Sequence, residues 1–272
     1  MTLLGKRVVV AFPDTVLEEK GDLNGKTAKL GTLARACAIF GVDRIEVFRD
    51  PKKRGEPELV RKVLEYLETP QYLRKRLFPL DESLRYAGVL PPLRIPSHRP
   101  RITMAEVKVG DVREGVVEAD GTVDIGLDVR PRLNGSAQSG QRITAKVESL
   151  RPFVAKRMDR KEAAEYWGYD VAAVSFDEVL GDRTTLRVAT SRLGESLSSQ
   201  IPGLRAAVSS SKGVKLIFGS PSRGLYDMSA DLKGRADFVV NLFGEQHTET
   251  VRTEEAVFAG LGLLDTLLSE KA

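Results

Sequence analysis

Three stretches of the chain end an apolar, strand-like run in a polar loop that contains glycine. They are Val188–Glu195, Leu216–Leu225 and Val239–Ala256. Open α/β sheets bind ligands beyond the carboxyl ends of their strands, where backbone N–H and C=O groups are free to hold a planar polar molecule. If the three strands are neighbours, their loops converge on one ligand site. Each loop taken alone also fits an ordinary turn.

Other common catalytic arrangements are missing from the sequence. No G-x-G-x-x-G follows a strand, and neither a P-loop nor a G-x-S-x-G elbow occurs. Two histidines, His98 and His247, leave little room for a catalytic triad or a His-rich metal centre, and the single Cys37 excludes a four-thiolate zinc site. We therefore expect no metal.

The elements that would position the loops follow an α/β order. Lys6–Pro13 is typical of a strand buried on both faces, Asn24–Gly41 has a broad apolar helical stripe, and Arg44–Phe48 is a second strand. Such a βαβ unit implies a parallel sheet. Further helices are predicted at Glu56–Leu67, Gln71–Phe78 and Glu254–Ser269, and further strands at Val171–Phe176, Leu186–Ser191, Val214–Phe218 and Phe238–Leu242.

The middle of the chain has a different pattern of residue types. Four prolines between Leu90 and Pro100 predict an extended connector, and residues 104–153 contain about five short strand-like pieces separated by glycine turns. This pattern favours a small β-barrel, of the oligonucleotide-binding (OB) type or alternatively SH3-like. The predicted fold is thus an α/β domain, residues 1–90 and 158–272, interrupted by an inserted barrel, residues 91–157.

The positive charge lies in this insert. The net charge of the chain is +4. Residues 89–157 contain 12 Lys+Arg and 8 Asp+Glu, and the rest of the chain has equal numbers of basic and acidic residues. Clustered cations favour a polyanion such as RNA because they release counterions from phosphates, although surface solubility is the alternative. Clusters at Arg49–Arg54 and Arg74–Arg76 add local positive potential. The unpaired cysteine, with no long apolar run or signal-peptide pattern, predicts a cytoplasmic protein.

Together, the motifs resemble the SPOUT class of methyltransferases, in its archaeal and eukaryotic branch of RNA methyltransferases with an OB-like insertion. The resemblance rests on the three loops, on Gln246–Ala256 before a helix, on the V-V-V-A-F-P of the first strand, on Leu90–His98 and on Asp124–Asp128. It implies a C-terminal trefoil knot, S-adenosylmethionine bound in a bent shape within that knot, and an active site built across a homodimer.

Carried over to this sequence, the resemblance assigns residues to the cofactor and to catalysis. The cofactor-binding residues are Thr190, Ser191, Phe218, Gly219, Ser220, Leu225, Asn241, Gln246, Thr248, Thr250 and Val251. Arg252 is the first candidate for catalysis, followed by Arg192 and Glu249, and each arginine also fits a phosphate contact or a surface ion pair. His247 stands where relatives commonly have glycine.

The implied substrate is a uridine base of large-subunit ribosomal RNA, modified at N3. Basic residues around the connector and in the insert would contact that RNA: Arg94, His98, Arg99, Arg101, Arg130 and Arg132. A non-catalytic RNA-binding or ribosome-assembly factor that retains the knotted dimer is the alternative function. The insert could also bind protein instead of RNA.

Overall fold

The computed structural model describes residues 6–269, and its elements follow an α/β order around a β-rich middle. The strands are β1 (Arg7–Pro13), β2 (Arg44–Arg49), β3 (Val112–Val117), β4 (Val123–Asp124), β5 (Arg132–Asn134), β6 (Arg142–Leu150), β7 (Phe153–Met158), β8 (Asp170–Ser175), β9 (Leu186–Ser196), β10 (Gly213–Ile217) and β11 (Phe238–Asn241). The helices are α1 (Leu23–Ile39), α2 (Pro57–Glu68), α3 (Gln71–Leu77), α4 (Phe176–Gly181), α5 (Leu197–Ser210), α6 (Leu225–Met228), α7 (Leu232–Arg235) and α8 (Thr253–Ser269). None of the helices within 6–269 is long and apolar enough to span a bilayer.

The α/β elements form one sheet of six parallel strands in the order β11-β9-β10-β1-β2-β8. This confirms the predicted parallel sheet. β1 pairs with both β10 and β2, and all its residues after Arg7 are buried, as its β-branched run predicts. Because the strands are parallel, the loops after β2, β9, β10 and β11 all leave from the same edge of the sheet.

β9 differs from the predicted Leu186–Ser191 because it carries a large bulge. Ala189 pairs with Val239 and Glu195 pairs with Val240, so residues 190–194 lie opposite a single step of β11. Gly194 permits this approach, since a Cβ there would lie 2.7 Å from the Val240 carbonyl carbon. The bulge is the first of the three predicted loops.

The sequence did not predict α5, which covers Leu197–Ser210 and contains Pro202 in its first half. Serine, glycine and proline are all poor helix formers, so local preference argues against a helix. Leu204 and Val208 lie one turn apart and are both buried. Burial of these two side chains outweighs the unfavourable local preference.

The chain divides into two compact units. The smaller contains Glu68–Glu82 and Arg94–Trp167, and the larger contains the rest of the described residues. The smaller unit therefore includes α3 in addition to the inserted segment, whereas the sequence predicts residues 91–157 alone. Its five strands follow the order β4-β3-β6-β7-β5, and a bridge between Thr122 and Arg132 joins the two outer strands.

A buried ionic cluster ties the segment that carries α3 into this smaller unit. Arg142 donates to the carboxylates of Glu68 and Glu114 at 2.7 Å and 2.6 Å. Trp167 also donates to Glu114, at 2.6 Å. Arg113 is 2% exposed and donates to the Ile125 carbonyl. Part of the positive charge that the sequence places in the insert is thus used inside the unit and cannot reach a polyanion.

Candidate functional site

The loops after β9, β10 and β11 converge on one cleft of about 350 Å³ in the larger unit. This volume lies in the range of small-molecule sites. Nine of the eleven predicted cofactor residues line the cleft: Thr190, Ser191, Phe218, Gly219, Ser220, Asn241, Gln246, Thr250 and Val251. The predicted convergence of the three loops is therefore seen in the structure.

The other two predicted residues lie away from the cleft wall. Leu225 is fully buried in an apolar cluster with Ala11 and Ile217. Thr248 is exposed, and its hydroxyl donates to the Thr250 carbonyl at 3.1 Å. Leu225 is thus part of the core, Thr248 bonds within the third loop at the surface, and neither lines the cleft.

Hydrogen bonds between loops fix the shape of the cleft. The Thr190 hydroxyl donates to the carbonyl of Ile217 at 3.1 Å, which joins the first loop to β10. The Asn241 amide donates to the Arg192 carbonyl at 3.3 Å, which joins the third loop to the first. Thr253, at the start of α8, donates to the Gly219 carbonyl at 3.3 Å. Side-chain hydrogen bonds therefore connect all three loops to one another or to the elements beside them.

Glycines allow the close approach of backbone that the second loop needs. A Cβ on Gly219 would lie 2.8 Å from the Arg223 carbonyl oxygen, closer than such contacts occur, so the loop folds back on itself only with glycine there. Gly260 of α8 faces the ring of Phe218, and a Cβ there would lie 3.2 Å from the ring edge. This glycine therefore permits close packing of α8 against the cleft wall.

Two acidic residues anchor the second loop, and neither was predicted from the sequence. The side chain of Asp50, which follows β2, is fully buried and accepts a hydrogen bond from the Arg223 guanidinium. Glu18 accepts hydrogen bonds from the Ser222 backbone N–H at 2.8 Å and from its hydroxyl at 2.5 Å. Asp50 lies among lysines and arginines in the Arg49–Arg54 stretch. The sequence pattern there indicates a basic cluster and gives no sign of a buried acidic anchor.

The charge state of Glu18 follows from these contacts. Partial burial desolvates its carboxylate and raises the pKa, but the hydrogen bonds from Lys53 and Ser222 outweigh this and lower the pKa to about 2. Glu18 is therefore ionised at neutral pH. The second loop is consequently held by two acidic side chains, Glu18 and Asp50.

Two buried hydrogen-bond donors in the cleft wall have no partner among residues 6–269. They are the phenol oxygen of Tyr226 and the Nε of Arg223, both from residues that line the cleft. A buried donor without a partner costs about 1–3 kcal/mol, so these groups favour a ligand that brings acceptors. A nucleoside attached to an amino acid, such as S-adenosylmethionine, offers ring nitrogens, hydroxyls and a carboxylate. The residues present therefore fit a ligand of this kind.

The three predicted catalytic residues differ in their position relative to the cleft. Arg192 lines it and donates to the backbone carbonyl of Glu249 at 3.1 Å, so Arg192 and Glu249 are neighbours. Arg252 lies instead in an adjoining cavity of about 360 Å³. Glu249 is exposed and lines neither cavity. The catalytic roles of all three residues stay predictions.

The predicted RNA contacts all belong to the smaller unit and differ in exposure. Four of them are exposed: Arg94, Arg101, Arg130 and Arg132. Arg99 is half-buried, and its guanidinium lies 3.9 Å from the Asp111 carboxylate.

His98 has a more enclosed environment. Its Nε2 lies 2.7 Å from the Glu68 carbonyl oxygen, and burial lowers its pKa to about 4. Its ring is therefore uncharged at neutral pH, which favours a structural role over a phosphate contact. Across the described part of the chain, no cluster of three His, Cys, Asp or Glu residues has the geometry to hold a metal ion.

Comparison with known proteins agrees with this geometry. The sequence profile of a family described as "Putative RNA methyltransferase" matches residues 7–264. An uncharacterized protein of Halobacterium salinarum is 36% identical, over 94% of this chain and 97% of its own length. A 28S rRNA (uridine-N(3))-methyltransferase of Mus musculus is 31% identical, over 96% of this chain and 76% of its own.

Among solved structures, a protein of Neisseria gonorrhoeae assigned to the methylase family aligns with 100% of this chain and 86% of its own, at 13% identity and a TM-score of 0.42. That similarity is too weak to bear on the site. The profile match, which spans nearly the whole chain and all three loops, shows that the chain belongs to the RNA methyltransferase family.

Proposed function

We propose that this protein is an S-adenosylmethionine-dependent methyltransferase that acts at N3 of a uridine in large-subunit ribosomal RNA. The convergence of three strand-end loops on one cleft carries the proposal, because it provides a nucleoside-sized site with unpaired donors in its wall. The relatives support the substrate: the mouse protein is named for this reaction and aligns over most of both chains.

The methyl donor would lie in the cleft, between the loops. Thr190, Ser191 and Asn241 offer polar groups from the first and third loops, and Phe218 and Val251 offer apolar surface for a purine ring. Gly219 leaves room for backbone close to the ligand. The other assigned residues, Ser220, Gln246 and Thr250, complete the wall, with Leu225 and Thr248 supporting it.

The protein's share of the chemistry is limited. When bound, S-adenosylmethionine supplies a methyl group on a positively charged sulfur, which needs no further activation. The chain's own residues must align the base and exclude water, and they must also take the proton that N3 loses. We assign the Glu249 carboxylate as the proton acceptor. The guanidinium groups of Arg192 and Arg252 would stabilise the negative charge that develops on the base.

The smaller unit would hold the RNA. Its strand order, with the parallel pair β5–β7 and the bridge between Thr122 and Arg132, supports an OB-like barrel, a fold that binds oligonucleotides. The exposed arginines at positions 94, 101, 130 and 132 are the proposed phosphate contacts. Arg99 and His98 would position the connector.

We further propose that the chain from β9 to α8 forms the trefoil knot implied by the resemblance, and that two copies associate. β11 is the outermost strand of the sheet and pairs with β9, although it follows β10 in the sequence. This crossover supports a knotted path of the chain. Leu193, Phe243 and Phe258 stay exposed in the single chain and are large and apolar, which supports a partner copy that covers them.

Calorimetric titration with S-adenosylmethionine tests the donor site. Wild-type protein is expected to bind, and alanine at Thr190 or Thr250 to weaken binding, since each contributes a hydroxyl at the cleft. Transfer of a labelled methyl group to an unmodified large-subunit rRNA transcript then tests the reaction, with the product nucleoside read by mass spectrometry. RNA binding without S-adenosylmethionine binding would replace the enzyme with the assembly-factor function.

A further inference from the structure

A second cavity adjoins the methyl-donor cleft in the same unit. It has a volume of about 360 Å³, and it shares four wall residues with the cleft: Pro221, Ser222, Thr250 and Val251. A methyl transfer brings two substrates into direct contact, so it requires two sites that adjoin each other. This cavity meets that requirement and is large enough for a nucleotide base.

The charged groups around the second cavity are Glu18, Glu19, Lys53 and Arg252. Three of them already have partners. Lys53 forms an ion pair with Glu18, and Glu19 forms one with Lys29. The Arg252 guanidinium has no hydrogen-bond or ion-pair partner among residues 6–269. Its backbone N–H donates to the Glu255 carboxylate, and its backbone carbonyl accepts from the Ala256 N–H. The cavity therefore presents one cation that is free to bind an anion.

The loop that carries Lys53 is fixed in place. One carboxylate oxygen of Asp50 accepts the backbone N–H groups of Lys52 and Lys53 at 2.8 Å and 3.1 Å. The same oxygen accepts the Arg223 guanidinium from the second cleft loop. Lys53 is half exposed, and its ammonium group has three protons. It can therefore stay paired with the Glu18 carboxylate and also donate a hydrogen bond to a phosphate. Asp50 thus holds the basic loop and the donor cleft in one geometry.

We propose that the second cavity is the acceptor subsite, in which Arg252 and Lys53 bind an RNA phosphate next to the nucleotide to be methylated. This rests on the proposed function for its reaction, but its binding chemistry can be tested separately. The target base would enter beside Ser222 and Thr250, and its N3 would contact the methyl group where the two cavities adjoin, so that the N–C bond forms as the C–S bond of the donor breaks. Arg252 would act as a binding residue, and its charge would lie near the reacting base.

The experiment compares Arg252→Gln, Lys53→Gln and Lys212→Gln. Lys212 is an exposed lysine of the same unit that lies just before β10, at the opposite end of the sheet from the loops, so it is the matched control. Affinity for a short fluorescent oligouridine is measured by anisotropy at several salt concentrations. Affinity for S-adenosylhomocysteine is measured by calorimetry, and folding is checked by thermal unfolding.

Each of the two cavity variants is expected to bind the oligouridine about tenfold more weakly. The slope of log Kd against log salt should become shallower by about 0.7 for each phosphate that the variant no longer neutralises. S-adenosylhomocysteine affinity should stay at the wild-type value, and Lys212→Gln should match wild type in both assays. Arg252→Lys keeps the charge and should restore most of the RNA affinity.

Two results overturn the proposal. In one, Arg252→Gln and Lys53→Gln bind RNA as wild type does. In the other, they lose S-adenosylhomocysteine affinity together with RNA affinity, which would make the cavity part of the donor site. Failure of the proposed function gives a different result, since wild-type protein would then bind RNA but neither S-adenosylhomocysteine nor S-adenosylmethionine.

Discussion

The guanidinium of Arg223 donates a hydrogen bond to the fully buried carboxylate of Asp50, although 173 positions separate the two residues. Asp50 follows β2 and Arg223 follows β10, and β1 lies between these two strands in the sheet. The pair therefore joins loops from opposite sides of the central strand. The position of the second cleft loop therefore depends on the loop after β2 as well as on β10.

Asp50→Asn is expected to lower the free energy of unfolding by about 3 kcal/mol, because the buried partner of a cation is lost while the cation remains. Affinity for S-adenosylhomocysteine should fall with it, since the second loop is released. Chemical denaturation and calorimetry measure the two effects. Asp177→Asn is the control: it removes an ion pair to Arg235 whose carboxylate is 85% exposed, and it should cost less than about 1 kcal/mol. Equal losses in the two variants would contradict the anchoring role.

Tyr226→Phe should raise the free energy of unfolding of the ligand-free protein by about 1 kcal/mol or more, because it removes a buried hydroxyl that has no partner among the described residues. It should weaken S-adenosylhomocysteine binding several-fold if the ligand supplies the missing acceptor. Tyr169→Phe is expected to do the reverse. Its hydroxyl donates to the Leu64 carbonyl at 3.1 Å, so stability should fall by about 1 kcal/mol while ligand affinity is retained.

Gly219→Ala should destabilise the protein by about 1–3 kcal/mol and weaken donor binding, because the new methyl group would lie 2.8 Å from the Arg223 carbonyl oxygen. Gly203→Ala in α5 is the matched control. Its new Cβ would have its nearest neighbour at 3.7 Å, and alanine favours the helix, so stability should rise by about 0.5–1 kcal/mol. Thermal unfolding with and without S-adenosylhomocysteine distinguishes the two sites.

The Glu18 anchor predicts a specific pH dependence. Its pKa is about 2 in the folded protein and near 4.5 without its partners, so it stabilises the fold fully above about pH 4.5. This contribution is lost as the pH falls from 4.5 towards 2. The difference in unfolding free energy between wild type and Glu18→Gln should therefore be largest at neutral pH and shrink in acid. A difference that is constant across this range would rule out the proposed ionised anchor.

Local pattern predicted the strands of the parallel sheet and the long helices α1, α2 and α8, but it missed the bulge in β9 and the helix α5. The run of β-branched residues in β1 and the apolar stripe of α1 are properties of short segments, so they are visible in the sequence. The bulge at residues 190–194 depends on its partner β11, and α5 depends on the burial of Leu204 and Val208. Neither dependence is encoded within the segment itself.

Residue type was also an incomplete guide to role. Arg142 and Arg113 belong to the basic insert, yet they hold its interior together. Asp50 lies in a basic stretch, yet it is the buried anchor of a cleft loop. In each case the role depends on which distant group lies opposite the side chain.

The sequence by itself determined the parallel α/β sheet, the β-rich insert and the three polar loops, because hydrophobic period and turn residues act over a few positions. It also determined nine of the residues that line the cleft, once the resemblance had been recognised. Only the tertiary structure decided that Leu225 and Thr248 do not line the cleft, that Glu18 and Asp50 anchor its second loop, and that a second cavity adjoins it. These features require the carboxyl ends of β2, β9, β10 and β11 to lie on the same side of the sheet. The strand order places them there by pairing segments that are far apart in the sequence.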